Sequence, residues 1–341
     1  MACCRAAMRN TNSRRIAGLN RLKDFFDPYI IALLGTVLLA TLLPARGPAV
    51  ALFDGLADAA VVLLFFLHGA KLSRESILSS AGNWQLHLAV LGTTFVLFPA
   101  LGWGIAAIPG LTPVVASGML FLTLLPSTVQ SSIAFTSIAR GNVAAAVFCA
   151  SFSNLIGIAI TPALVAVLMS QVGTGAGFSF SSVEKILLQM LLPFIVGHLM
   201  RPVVGGFISR NKSLVTNVDR GSILLIVYTA FSAAVVEGLW QQMPPSSLLL
   251  IFVLSTVLLL IVLGVTWRLG GLIGLAREDK IVLLFCGSKK SLATGVPMAG
   301  VLFPAALVGQ AILPLMLFHQ IQLIACAFLA RSLARSAPNE G

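Results

Sequence analysis

The sequence predicts an all-α polytopic membrane protein whose ten transmembrane helices form two inverted repeats of five helices. Three observations support this fold class: an extreme apolar composition, ten apolar runs of spanning length, and two interrupted runs at matching places. Apolar residues make up 58% of the 341 residues, charged residues make up 10%, and the mean hydropathy is +0.99. Soluble domains contain about 45–50% apolar and about 25% charged residues. The composition therefore excludes a soluble enzyme, a disordered chain and a nucleic-acid-binding domain.

The apolar runs lie between charged breaks or breaks rich in Gly and Pro. Each is long enough to cross the hydrocarbon core, which takes about 20 helical residues. An even number of spans places both termini on one side of the membrane. The runs are 28–44, 50–70, 85–107, 113–138, 141–170, 183–205, 222–238, 245–270, 279–302 and 305–331.

These runs divide the chain into four parts. A basic segment, 1–27, precedes the first repeat at 28–170, and the second repeat at 183–331 is followed by a short tail, 332–341. The first segment has no apolar stretch typical of a signal peptide, so we expect it to remain attached.

The basic residues predict the orientation of the chain. The net charge is +11, and most of the 22 Lys and Arg residues lie in segments on the same side as the termini. Only Arg46 and Lys185 fall on the opposite side. Because cytoplasmic loops are enriched in Lys and Arg, we expect cytoplasmic termini and a location in the plasma membrane, which is the inner membrane in a bacterium.

Two spans are interrupted by polar residues at membrane depth. The fourth stops at Pro126 and the ninth at Gly287, and the latter is followed by Ser288–Ser291 with its two lysines. Such backbone is tolerated in a membrane where it faces protein or a cavity. Matching breaks in inverted halves indicate the midplane site of a secondary transporter. The alternative for either break alone is ordinary helix packing by Ser, Thr, Gly and Pro.

The polar residues at the two breaks are the candidate binding site. Charge inside a membrane is energetically expensive and marks functional positions, and lysines beside helix N-termini favour an anion. Adjacent residues on a helix point about 100° apart. We therefore expect that Lys289 and Lys290 do not both face the same cavity. The candidates are Thr123, Ser127, Thr128, Gln130, Ser131, Ser132, Asn154, Ser288, Lys289, Lys290, Ser291 and Thr294.

Other kinds of chemistry have no pattern in this sequence. No carboxylate lies beside either break, and there is no metal-ligand spacing, nucleotide loop or nucleophile–base pair. We therefore expect no bound metal, no cofactor and no enzymatic activity. The five cysteines have no paired spacing and are interpreted as small core residues.

The residues around the breaks resemble the bile acid:sodium symporter-like carriers, in particular the branch with bacterial homologues and member seven of solute carrier family ten. The resemblance implies a panel domain and a core domain, spans four and nine that cross at unwound centres, and transport by alternating access. It rests on Arg21–Pro28, Phe95–Pro99, Leu125–Ser132, Arg140–Ala146, Gly157–Pro162 and Phe285–Leu292, with Lys290–Pro297 as the most specific pattern.

The sodium ligands that this resemblance implies are largely missing. Ser131-Ser132 stands where sodium-coupled members have a Ser-Asn pair, and Ala146 and Ala150 stand where they have hydroxyl ligands. Thr94 takes the place of a glutamine in span three and joins the candidate site.

In span nine, the family's Glu and Gln fall near Cys286 and on Lys290. We therefore expect the Lys290 ammonium to replace the sodium ion. If this ammonium releases its proton, transport is coupled to the proton gradient. If it stays charged, the carrier is uncoupled. A proton is favoured over sodium as the coupling ion.

The predicted function is secondary transport of a small organic anion across the lipid bilayer. The alternative is a regulator of ion or calcium homeostasis that keeps the scaffold without transporting a solute. Solute flux through liposomes of the pure protein distinguishes the two.

Overall fold

The computed structural model describes residues 28–71, 83–169, 180–242 and 244–336, and within these residues all regular structure is helical. This confirms the all-α class. The basic segment 1–27 and the end of the tail, 337–341, lie outside the described residues. The helices are α1 (Pro28–Leu42), α2 (Pro48–Lys71), α3 (Trp84–Ala106), α4 (Pro113–Leu124), α5 (Gln130–Ile138), α6 (Val143–Leu168), α7 (Phe180–Arg210), α8 (Lys212–Val236), α9 (Leu239–Gln242), α10 (Pro245–Leu272), α11 (Arg277–Gly287), α12 (Leu292–Leu302) and α13 (Ala305–Arg335).

Within the described ranges, seven stretches of helix are long and apolar enough to cross a membrane. They lie in α2, α3, α6, α7, α8, α10 and α13, which correspond to the second, third, fifth to eighth and tenth of the predicted runs. The first run forms the shorter helix α1, and the fourth and ninth runs each form two short helices. Helix α13 extends to Arg335, into the segment predicted as a tail.

Local sequence explains where several helices begin. Asn83 and Asn142 cap α3 and α6, each accepting a hydrogen bond from a backbone N–H of the first turn. Both asparagine amides also donate to Asp279, in the first turn of α11, at 2.7 and 2.9 Å. One carboxylate therefore ties the N-terminal ends of α3, α6 and α11 together.

The helices pack in two groups. One contains α1, α2, α7 and α8, with an ion pair between Lys71 of α2 and Asp219 of α8. The other contains α3 to α6 and α10 to α13. The groups meet where α6 contacts α7, where α12 contacts α2, α7 and α8, and where α13 contacts α8.

Helices α2 and α7 approach each other backbone to backbone. A Cβ atom on Gly69 would lie 2.0 Å from the Phe194 carbonyl oxygen, and one on Gly197 would lie 2.0 Å from the Phe66 carbonyl oxygen. Small residues at such crossings permit close packing of membrane helices. The pair therefore depends on both glycines.

Replacing Gly197 with Ala is expected to destabilise the protein by about 1–3 kcal/mol, because the new methyl group forces two backbones apart. The matched control is Gly264→Ala in α10, where a Cβ atom meets nothing within 4 Å. Thermal unfolding of the purified variants in detergent measures the difference. Equal unfolding midpoints for the two variants would contradict this account of the α2–α7 contact.

The second group of helices encloses both breaks. Every residue from Ile281 to Leu292 is buried, including all four residues between α11 and α12. On the other break, Leu125–Thr128 is buried as well. Ser127, Thr128 and the four residues Ser288–Ser291 are thus inside the protein.

Candidate functional site

The two broken helix pairs meet at their breaks. The chain leaves α4 in an extended conformation at Leu125, as expected before the proline at 126. The Ser291 backbone N–H donates to the Pro126 carbonyl at 2.9 Å, and the Ser127 hydroxyl donates to the Cys286 carbonyl at 2.5 Å. Each break thus donates one hydrogen bond to the other.

Hydroxyl groups satisfy the carbonyls that the break in α11 leaves without helical partners. The last carbonyls of a helix have no intrahelical donor. The Ser132 hydroxyl donates to the Phe285 carbonyl at 3.0 Å, and the Ser288 hydroxyl donates to the Leu284 carbonyl. The polar cluster predicted at the breaks therefore stabilises the unwound backbone.

Lys290 uses its ammonium group in the same way. Its side chain is fully buried, and Nζ donates to the carbonyl oxygens of Thr94 and Thr123 at 2.8 Å and of Leu125 at 2.7 Å. The Phe98 ring lies over Nζ, 4.2 Å from the ring centroid. Three donors thus meet three acceptors, and an aromatic face covers the charge.

Two of these acceptors are free because α4 stops. Thr123 and Leu125 lie at its C-terminal end, where carbonyls point out of the helix and carry partial negative charge. A cation at this place is stabilised by the helix dipole as well as by its hydrogen bonds. The Lys290 side chain therefore caps the C-terminal end of α4.

The third acceptor is free because α3 contains a π-helical stretch, Thr93–Leu97. The Phe98 N–H donates to the Thr93 carbonyl, five residues back, rather than to the Thr94 carbonyl, which an α-helix would use. The Thr94 carbonyl is left for Lys290. The Thr94 hydroxyl, by contrast, is buried and has no partner among the described residues.

Gln322 of α13 holds the backbone of Lys290 and was not among the sequence candidates. Its side-chain oxygen accepts from the Lys290 N–H, and its Nε2 donates to the Lys290 carbonyl, both at 2.9 Å. Gln322 is fully buried, and the same Nε2 lies 2.9 Å from Nδ1 of His319. Polar residues at 319, 320 and 322 inside an apolar run were the available sequence signal.

Lys289 points elsewhere, and the expectation that both lysines lie on a helix is wrong. Residues 288–291 form a non-helical link, because α11 ends at Gly287 and α12 begins at Leu292. A methyl group on Gly287 would lie 2.6 Å from the Thr93 hydroxyl oxygen, so the last residue of α11 lies close against α3. In a link of this kind adjacent side chains do not keep helical spacing.

The surroundings of the Lys289 side chain are apolar. Nζ lies 4.3 Å from the Phe135 ring centroid and 5.4 Å from that of Phe285. The side chain is fully buried, and Nζ has no hydrogen-bond partner among the described residues. The two adjacent lysines therefore have opposite surroundings, one with every donor used and one with none used.

Asn154 lies at the same crossing. Its amide donates to the Ser127 carbonyl at 2.7 Å and accepts from the Thr294 hydroxyl at 2.7 Å. The Ser291 hydroxyl donates to the Thr294 hydroxyl and accepts from the Thr294 N–H, thereby capping α12. The structure thus links α6, the first break and α12.

The start of α5 is more open. The Ser131 hydroxyl donates to that of Thr128 at 2.9 Å, and Thr128 shares a 2.8 Å hydrogen bond with Ser132. Ser131 is half-buried and Gln130 is exposed. No side chain in the described part of the chain caps the first N–H groups of α5, and such N–H groups attract anions.

The structure therefore brings the sequence candidates together, but they contribute different groups. Thr94 and Thr123 contribute carbonyls, and the Thr123 hydroxyl donates to Leu120 of its own helix. Gln130 lies at the exposed edge of the group.

Three of the positions at which the resemblance implies sodium ligands lie in an apolar cluster. Ala146, Ala150 and Cys286 pack together with Cys149, and the Cys286 thiol donates to the Ala146 carbonyl at 3.8 Å. No group of three His, Cys, Asp or Glu side chains suited to a metal ion occurs within the described residues. The donor set does not match the oxygen ligands that a hard cation prefers.

Comparisons with known proteins agree with the family resemblance. The model of the SBF-like CPA transporter family matches residues 27–335. Over 319 residues the chain is 52% identical to "Putative symporter YfeH" of Escherichia coli K12, which covers 92% of this chain and 95% of that protein. It is also 52% identical to "Uncharacterized protein PA2026" of Pseudomonas aeruginosa, over 93% and 96% of the two chains. "Sodium/bile acid cotransporter 7" of Xenopus tropicalis is 25% identical over 316 residues, 90% of each chain.

Proposed function

The chain belongs to the SBF-like CPA transporter family, and from that premise we propose that it is a secondary transporter that carries a small organic anion by alternating access. The proposed architecture has ten spans in two inverted repeats. Its two broken spans are α4–α5 and α11–α12. Both termini are cytoplasmic, and the membrane is the plasma membrane, the inner membrane in a bacterium. The observation that carries the proposal is the contact between the two breaks inside the protein.

The anion binds at the exposed edge of this crossing. The first N–H groups of α5 have no side-chain cap among the described residues. Beside them, Gln130 is exposed and Ser131 is half-buried. Helix N-termini attract negative charge through their free N–H groups and the helix dipole. The Lys290 ammonium adds positive charge behind this surface.

Lys290 takes the place that a sodium ion fills in sodium-coupled relatives. Its ammonium contacts three carbonyl oxygens from α3 and the end of α4, as a bound cation would. Because this cation is covalently attached, it does not dissociate during transport. A proton is therefore the coupling ion, or the carrier is uncoupled.

Alternating access follows from the two groups of helices. The group of α1, α2, α7 and α8 corresponds to the panel domain, and the remaining helices correspond to the core domain that holds the crossing. Movement of the core against the panel exposes the start of α5 to each side of the membrane in turn.

Uptake into proteoliposomes of the purified chain tests this function. The probes are radiolabelled taurocholate and a series of mono- and dicarboxylates, each with sodium or choline as the external cation. We expect saturable uptake of at least one anion at the same rate in both salts. Uptake of no probe would favour the regulator, and uptake that requires sodium would contradict the role of Lys290.

A further inference from the structure

The two lysines at the second break have opposite surroundings, and this difference assigns them different roles. Lys290 has an acceptor for each of its three N–H groups. Lys289 is equally buried, but its Nζ has no acceptor among the described residues. We propose that Lys289, and not Lys290, is the side chain that binds and releases the coupling proton. This inference rests on the proposed function.

A permanent charge fits Lys290 and does not fit Lys289. Removing an ammonium from water is costly unless polar partners replace the water. The partners of Lys290 do so, and they include the negative end of the α4 dipole. At Lys289 two aromatic faces offer cation–π contacts, which offset only part of the loss.

Among the residues that the structure describes, none of the groups around Lys289 is a carboxylate that would hold its charge. Phe135 of α5 and Phe285 of α11 cover the amine, and the titratable groups that face it are the thiols of Cys286 on α11 and Cys326 on α13. The neutral amine is therefore the form that suits the described conformation. A rearrangement that admits water or an anion would favour the protonated form.

A chain of hydroxyls leads from half-buried Ser131 through Thr128 to Ser132, which donates to the carbonyl of Phe285, beside Lys289. A carbonyl oxygen does not pass a proton on, so the last transfer, to Nζ of Lys289, goes through water that the rearrangement admits. Uptake forms one new N–H bond on Nζ from a proton of bulk water. Release returns the same proton, so the cycle needs no other reactant.

Thermal unfolding across pH tests the assignment without any substrate. The purified chain, Lys289→Met and Lys290→Met are compared in detergent between pH 6 and pH 9. If Lys289 is neutral when folded and protonated when unfolded, the wild-type midpoint rises with pH relative to Lys289→Met. Lys290→Met is expected to lower the midpoint while keeping the wild-type dependence on pH.

A wild-type midpoint that differs from that of Lys289→Met by the same amount at every pH would overturn the proposal. So would a pH dependence that disappears only in Lys290→Met. The three proteins differ only at residues 289 and 290. All other titrating groups are common to them and contribute equally to each dependence on pH.

Transport then separates this inference from the proposed function. With one proton per anion, a pH gradient of one unit drives accumulation up to about tenfold. Lys289→Met is expected to lose this accumulation while still carrying the anion down its own gradient. Accumulation retained in Lys289→Met would overturn the inference alone, whereas absence of anion uptake by the wild type would overturn the proposed function.

Discussion

Lys290→Met is expected to abolish anion uptake and to destabilise the purified protein by roughly 3–5 kcal/mol. Methionine keeps an unbranched apolar side chain and removes the charge. The carbonyls of Thr94, Thr123 and Leu125 then lose their shared donor in a buried place. Unfolding midpoints in detergent and proteoliposome uptake measure the two effects.

Two further variants decide what Lys290 contributes. Lys290→Arg keeps the charge, but a planar guanidinium does not direct its donors at three convergent acceptors, so we expect it to rescue neither property fully. Lys289→Met is the matched control and should retain stability, because Nζ of Lys289 has no hydrogen bond to lose in the described structure. A Lys290→Met protein as stable and active as the wild type would contradict the tethered-cation account.

Gln322→Leu is expected to destabilise the protein by about 2–6 kcal/mol and to reduce uptake. The amide of Gln322 is the partner of both the N–H and the carbonyl of Lys290. A leucine leaves these two buried backbone groups unpaired, at about 1–3 kcal/mol each. The link between α11 and α12 then loses the contact that fixes its position.

Gln320 offers the control on the same helix. Its Nε2 is buried without a partner in the described part of the chain, so Gln320→Leu removes no hydrogen bond from that atom and should be neutral or stabilising. Both variants are compared by thermal unfolding and uptake. Equal losses in the two variants would indicate a general effect of apolar substitution in α13, contrary to the role assigned to Gln322.

The helical class and the positions of the breaks could be predicted from local sequence. Proline at 126 and glycine at 287, each followed by polar residues, interrupt otherwise apolar runs, and helices end at Leu124 and Gly287. These signals act over a few residues. Composition and run length are likewise local properties, and they suffice for the fold class.

The details of the site depend on contacts between distant segments. The hydrogen bonds between Gln322 and the backbone of Lys290 join residues 32 positions apart. No periodic pattern in the sequence predicts such a pair. The directions of the two lysines were predicted from helix geometry, which does not apply in the link. The π-helical stretch Thr93–Leu97 contains two threonines and precedes Pro99, but these residues suit a kinked α-helix equally well, so the π turn becomes visible only with its hydrogen bonds.

That stretch links the length of α3 to the identity of residue 290. A π turn accommodates one residue more than an α turn of the same span, and here the additional residue exposes the Thr94 carbonyl that Lys290 needs. In the π pattern the next donor to the Thr94 carbonyl would be residue 99, a proline without an N–H, so the turn and Pro99 together keep that oxygen available. The insertion in α3 and the lysine in the second half of the chain are therefore a single trait, and a homologue is expected to gain or lose them together.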